Sequence, residues 1–105
     1  MASGVMKLLR VVDINFDVME MIVEVINGSH KETQHIGYDK LLRFRFGRVQ
    51  VRKWFRNKER KVIEMHLRDR NEPLILMESD LKSSFPQIEE YVRSLAQKNK
   101  LPIEE

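Results

Sequence analysis

A chain of 105 residues has room for one modest hydrophobic core and not for two. At 42% apolar and 33% charged it reads as an ordinary soluble globular domain rather than a disordered one, and the lack of cysteine excludes disulfides, thiolate catalysis and cysteine-held metals. The net charge of +3 conceals a segregation: residues 40–61 hold ten basic residues against one acid, Glu59, a local +9 that leaves −6 for the rest.

The chain opens with "MASGVMKLLRVV", which lacks the apolar core and small-residue cleavage site of a signal peptide. No apolar run approaches the length that crosses a bilayer, about 20 residues. These features lead to the expectation of a cytoplasmic protein forming a single domain over 1–105, with residues 1–5 an appended remnant ahead of a start at Met6. Residues 6–13 and 18–27 are expected as strands, because Val18 to Ile26 is dense in β-branched residues and Met19, Met21, Val23 and Val25 share one face. A helix over 13–27 is the competing reading, since Asp13, Asp17, Glu20 and Glu24 would form an acidic stripe on it. Asn27-Gly28 is a hairpin signal, and "SHKETQHIGY" restarts an extended segment.

The two-residue period is clearest in the middle of the chain. Leu42, Phe44 and Phe46 alternate with Arg43 and Arg45; after Gly47, Val49 and Val51 alternate with Arg48, Gln50 and Arg52. Gly47 is expected at a bulge or tight turn, and Arg56-Asn57-Lys58-Glu59 as a polar turn in which Asn57 tolerates positive φ. Lys61 to Arg68 reads as a further strand, "DRNEP" as a turn, and Leu74 to Met77 as a short strand behind Pro73. The helix expected over 84–98 presents Ile88, Tyr91, Val92, Leu95 and Ala96 as one stripe, with Ser83 or Ser84 to cap it and Pro86 in its first turn. Residues 99–105 remain as a tail. The fold class that results is mainly β, an antiparallel barrel or sandwich of about six to seven strands capped by one C-terminal helix.

No enzyme is expected. His30, His35 and His66 lack metal-ligand spacing, and no nucleophile-elbow glycines flank Ser79-Asp80. The four glycines form no phosphate-cradling loop, and Glu89-Glu90 complements a helix N-terminus. Neither a catalytic group nor a cofactor nor a metal is therefore anticipated. What remains is a binding surface over 43–61: Arg43, Arg45, Arg48, Arg52, Lys53, Trp54, Arg56, Lys58, Arg60 and Lys61. A tryptophan among cations can stack on a base, lie against an arginine or enter a lipid interface, and can equally be a core residue at the rim of the sheet.

Two resemblances follow from these residues. Gln50, Val51, Trp54, Phe55, Asn57 and Lys61 resemble the third helix of a homeodomain, which would make Asn57 a reader of adenine in the major groove. Glu59 then stands where that family has a phosphate-gripping arginine, and the alternation on both sides is that of strands. "HIGYDKLLRFRFGRVQVRKW", followed by two more strands and an amphipathic helix, resembles the bacterial pleckstrin-homology-like (PH-like) domains by element order. Here Ile36, Tyr38, Leu41 and Leu42 occupy the entry segment, and Ile88 to Ala96 the capping stripe. The PH-like resemblance covers most of the chain and implies an interaction module, open to self-assembly through strand edges, with a protein or an anionic lipid head group as partner. Nucleic acid, bound by the same basic segment, is the alternative.

Overall fold

A computed structural model describes residues 10–53 and 56–105, Lys53 by its backbone alone. The elements in chain order are β1 (Arg10–Phe16), β2 (Glu20–Asn27), β3 (His30–Gly37), a 3-10 turn (Tyr38–Lys40), β4 (Leu41–Lys53), β5 (Arg56–Leu67), β6 (Leu74–Met77), α1 (Phe85–Asn99) and β7 (Ile103–Glu104). The seven strands form one sheet in the order β3-β2-β1-β6-β5-β4-β7. Two three-stranded meanders, β1–β3 and β4–β6, thus lie side by side.

The sheet is mixed rather than antiparallel throughout. β6 pairs with β1 in parallel through Arg10↔Ile75 and Val11↔Leu76, and β7 pairs with β4 in parallel through Phe44↔Ile103 and Arg45↔Glu104. The expected all-antiparallel barrel is corrected on both counts, for no ladder joins β3 to β4 among the described residues and the barrel stays open. It nevertheless curls. Gly37 and Leu41 belong to strands with four others between them, yet only the three residues of the 3-10 turn connect them. That link spans at most about 14 Å, so the sheet must bend back toward itself. The Arg68 N–H prolongs the β4–β5 pairing to the Lys40 carbonyl (2.8 Å), and just beyond it the Arg70 guanidinium reaches Gln34 Oε1 of β3 across the gap. A bulge in the leading strand of each meander, between Val11 and Asp13 in β1 and between Leu41 and Arg43 in β4, adds local twist.

The helical alternative for 13–27 is overturned: Asp17 closes a tight turn between β1 and β2, accepting the Val18 N–H at its carboxylate and donating its own N–H to the Glu20 carbonyl. One face of the sheet is apolar and carries Val11, Ile14, Met21, Val23, Val25, Ile36, Phe44, Phe46, Ile63, Met65, Leu74 and Leu76, all buried. Helix α1 covers that face with Phe85, Ile88, Val92, Leu95 and Ala96. Tyr91, expected in the same stripe, stays partly exposed and stacks on Phe16 with ring centroids 4.2 Å apart. Leu42 does not share the face of Phe44 and Phe46; the bulge turns it outward and buries Leu41 in its place.

Ser84 is the N-cap residue by backbone but makes no side-chain capping bond, whereas Ser83 Oγ donates to Asp13 Oδ1 at 2.9 Å. Lys100, left-handed at φ 55°, ends the helix, and the expected tail then adds β7 to the edge of β4. Among the described residues no helix is long and apolar enough to cross a membrane.

Candidate functional site

The β4–β5 hairpin is longer than the sheet that carries it. β6 leaves β5 at Val62↔Met77, and the Glu78 N–H still reaches the Lys61 carbonyl at 3.1 Å. β7 leaves β4 at Arg45↔Glu104. From Val49↔Arg60 to Lys53↔Arg56 the two strands pair only with each other among the described residues, a ribbon running about 13 Å past the sheet. The stretch that resembles a homeodomain helix is therefore two strands. Arg56 to Glu59, expected as a turn, lies inside β5 with Asn57 opposite Arg52 and without positive φ. β4 runs to Lys53 and β5 begins at Arg56, paired with it, and Trp54 with its expected position lies outside the described residues.

Gly47 governs how the ribbon is faced. It is neither bulge nor turn: it sits in register opposite Val62, and the pairing runs unbroken from Arg43 to Lys53. Apolar residues occupy even positions before it (Phe44, Phe46) and odd positions after it (Val49, Val51). With the register continuous, this change of parity inverts the faces. On the helix side the ribbon carries Arg48↔Lys61, Gln50↔Glu59 and Arg52↔Asn57; on the reverse side, Val49↔Arg60 and Val51↔Lys58. Arg43 and Arg45 also lie on the reverse side, opposite His66 and Glu64.

The ten expected basic-surface residues separate by their partners. Arg43 pairs with Glu104 at 3.2 Å, Arg45 with Glu64 at 3.9 Å and Arg48 with Glu59 at 3.5 Å. Arg52, Arg56, Lys58, Arg60 and Lys61 make no ion pair among the described residues, and of Lys53 only the backbone is placed. On the helix side of the ribbon base a shallow cleft of about 250 Å³ is lined by Arg48 and Lys61 together with Glu89 and Glu105, both of which pair with Arg93, whose guanidinium lies over the Phe46 ring at 4.2 Å.

On the reverse side, where the ribbon leaves the sheet, a cleft of about 540 Å³ opens between Val51, Lys58 and Arg60 of the ribbon and Ile75 and Met77 of β6. Its far wall is Arg10 and Asp80, joined by a bidentate pair at 2.7 and 3.3 Å that lifts the Arg10 pKa through the Asp80 carboxylate. Val62, on the same face between Gly47 and Met77, is buried. The floor is thus aliphatic and its rim cationic. Arg10 of β1, Ile75 and Met77 of β6 and Asp80 in the turn after β6 are distant in sequence from the ribbon, and the change of parity at Gly47 was the one local signal of this face.

A second apolar cleft, of about 750 Å³, lies at the opposite end between the β1–β2 turn, the 3-10 turn and α1. Val18 and Met19 project there, 83% and 79% exposed, beside Tyr38 and Tyr91. Burial first, then the Tyr91 hydroxyl and the carboxylates of Asp17 and Glu20, raise the Tyr38 pKa well above its ordinary value. Its hydroxyl donates to the Asp17 carbonyl. No grouping of His, Asp and Glu among the described residues could hold a metal ion.

Comparison with known proteins gives no match: no family model, no curated sequence and no solved structure is similar to this chain at a significant level.

Proposed function

We propose that the protein is a non-enzymatic binding module of the PH-like kind, and that the β4–β5 ribbon is its surface for an anionic partner. One observation carries this reading. Among the described residues the hairpin extends beyond the strands that flank it into a segment that contributes no member of the core cluster, and four of its cations, Arg52, Arg56, Lys58 and Arg60, have no acidic partner. Cations held at close spacing without counter-charges raise the local potential and favour a polyanion or an anionic head group. Six strands followed by a helix across one face of a curled sheet, with a two-residue seventh strand after it, accord with the PH-like reading.

Nucleic acid is the second reading, because a two-stranded ribbon is one of the shapes the major groove admits. Titration of duplex DNA, RNA and anionic vesicles at two salt concentrations tests both. Wild-type protein is expected to bind at least one of them, more weakly at high salt, and the R52E/R56E/K58E variant to lose that binding. Binding to none, or binding unchanged by the charge reversal, disproves the ribbon reading. Which polyanion binds decides between a lipid head group and nucleic acid.

A further inference from the structure

We propose that the reverse-side cleft at the root of the ribbon binds a single-chain anionic amphiphile, with an alkyl chain on Val51, Ile75 and Met77 and an anionic head at Lys58 and Arg60. This rests on the reading of the ribbon as an anion-binding surface and narrows it to one face. Three observations converge on it. First, the change of parity at Gly47 places Val51 outward, on the face opposite the helix, where it adds nothing to the core and instead prolongs the apolar strip of Val62, Ile75 and Met77. Second, the two cations directly above that strip have no acid to pair with among the described residues. Asp80, the one carboxylate in the cleft, is engaged on both oxygens by Arg10. Third, the cleft's volume of about 540 Å³ lies in the range that encloses a small ligand rather than a polymer.

The chemistry follows from the pairing of floor and rim. An aliphatic floor offers little to a nucleotide, whose bases seek aromatic or hydrogen-bonding partners. A neutral alkyl chain would leave Lys58 and Arg60 at the rim of an occupied, drier cleft without a counter-ion. A chain ending in phosphate, sulfate or carboxylate satisfies both. Its tail displaces water from the aliphatic side chains, and its head accepts charge-assisted hydrogen bonds from Lys58 Nζ and the Arg60 guanidinium.

The probe is dodecyl phosphate below its micelle concentration, followed by amide chemical shifts of the ¹⁵N-labelled protein. Expected are saturable shifts centred on Val51, Ile75, Met77 and Ser79, with binding weakened about tenfold or more in K58E/R60E. Because those two positions lie on the ribbon outside the sheet's shared ladders, the variant keeps its fold, checked by far-UV circular dichroism. Met77→Arg, on the floor, is expected to weaken binding similarly, and Lys98→Glu, at the other end of the molecule, to leave it unchanged. Equal binding of dodecyl maltoside would show that the cations play no part, and equal shifts from inorganic phosphate that the floor plays none; either overturns the proposal. So does the absence of shifts, or binding to phosphatidylglycerol vesicles without binding of the free amphiphile, which would assign the surface to a bilayer. If the amphiphile fails while R52E/R56E/K58E still abolishes polyanion binding, the cleft is refuted and the ribbon reading stands. If both fail, the ribbon reading falls too.

Discussion

The two meanders have the same strand order, and each begins with a bulged strand that is flanked by an antiparallel neighbour on one side and a parallel one on the other. They differ in charge and in how one hairpin of each, β2–β3 and β4–β5, ends. β2 and β3 stop at Asn27-Gly28, eight rungs long and paired from Glu20↔Gly37 to Asn27↔His30. β4 and β5 continue past the last strand that supports them among the described residues. Residues 10–37 hold two basic and five acidic residues, while 41–77 hold eleven basic and four acidic. A hairpin that ends where its sheet ends is accounted for by packing alone. One that runs on, and concentrates unpaired cations where it does so, places its energetics in solvent and its significance in a partner.

That contrast sets the largest expected effect. Phe44 is fully buried at the supported end of β4, between the Met65 rung and the β7 edge. Phe44→Ala should lower unfolding free energy by about 3–5 kcal/mol in urea titrations, through lost burial and the cavity left behind. A loss below about 1 kcal/mol would mean that the second meander is not part of the common core.

The positions where the sequence was legible and where it was not separate along the same line. Met21, Val23 and Val25, Ile63 and Met65, and Ile88, Val92, Leu95 and Ala96 showed their burial by period alone, because each is packed by neighbours that repeat with the element's own geometry. Met19 and Tyr91, read into the same faces, are exposed because one precedes its strand and the other lies at the edge of the helix stripe. Leu42 and Gly47 misled for a common reason. Alternation shows which residues share a face only while the register is continuous, and it does not show where the register slips. The slip lies at Leu41/Arg43, so Leu42 left the core; Gly47 lies in register, so Val49 and Val51 changed sides. The parallel pairings and the cleft walls Arg10, Ile75 and Asp80 depend on contacts between strands far apart in the chain, which no local pattern encodes. Of the candidate site, the cations were legible and their separation into two faces was not.

The glycines give a second, smaller comparison, one from each meander. Gly28 has φ +66° with open space around an added Cβ, so Gly28→Ala should cost about 1–2 kcal/mol from backbone conformation alone. At Gly47 an added Cβ would meet Val62 Cγ2 at an ordinary 3.8 Å and the backbone is extended, so Gly47→Ala should be neutral or stabilising by up to about 1 kcal/mol. Thermal melts should fall for Gly28→Ala and hold or rise for Gly47→Ala, and a destabilised Gly47→Ala would show that the reverse face tolerates no side chain there.

Tyr38 stands at the joint between the meanders, its hydroxyl bonded to the Asp17 carbonyl and its backbone N–H to that of Met19. Because its folded pKa is raised, its contribution is fully present below the ordinary tyrosine value of about 10 and is lost as pH climbs above it. Stability measured by urea at successive alkaline pH values should therefore decline above about pH 10. Tyr38→Phe should flatten that decline while losing about 1 kcal/mol at neutral pH for the missing hydrogen bond. An unchanged alkaline slope would place its origin elsewhere in the chain.

The smallest expected effect bears most directly on the ribbon. Replacing residues 49–60 by Asn-Gly would join Arg48 to Lys61 through a two-residue turn suited to an antiparallel pair already in register. Among the described residues, the segment removed holds no member of the core cluster and one ion-pairing acid, Glu59, whose exposed pair with Arg48 contributes little. It also shortens the loop whose closure opposes folding. Stability should therefore change by less than about 1 kcal/mol in either direction, while salt-sensitive binding to polyanions disappears. A large loss of stability would mean that the ribbon is part of the fold after all. Its length and charge would then need a structural explanation, and the case for a partner would lose its main support.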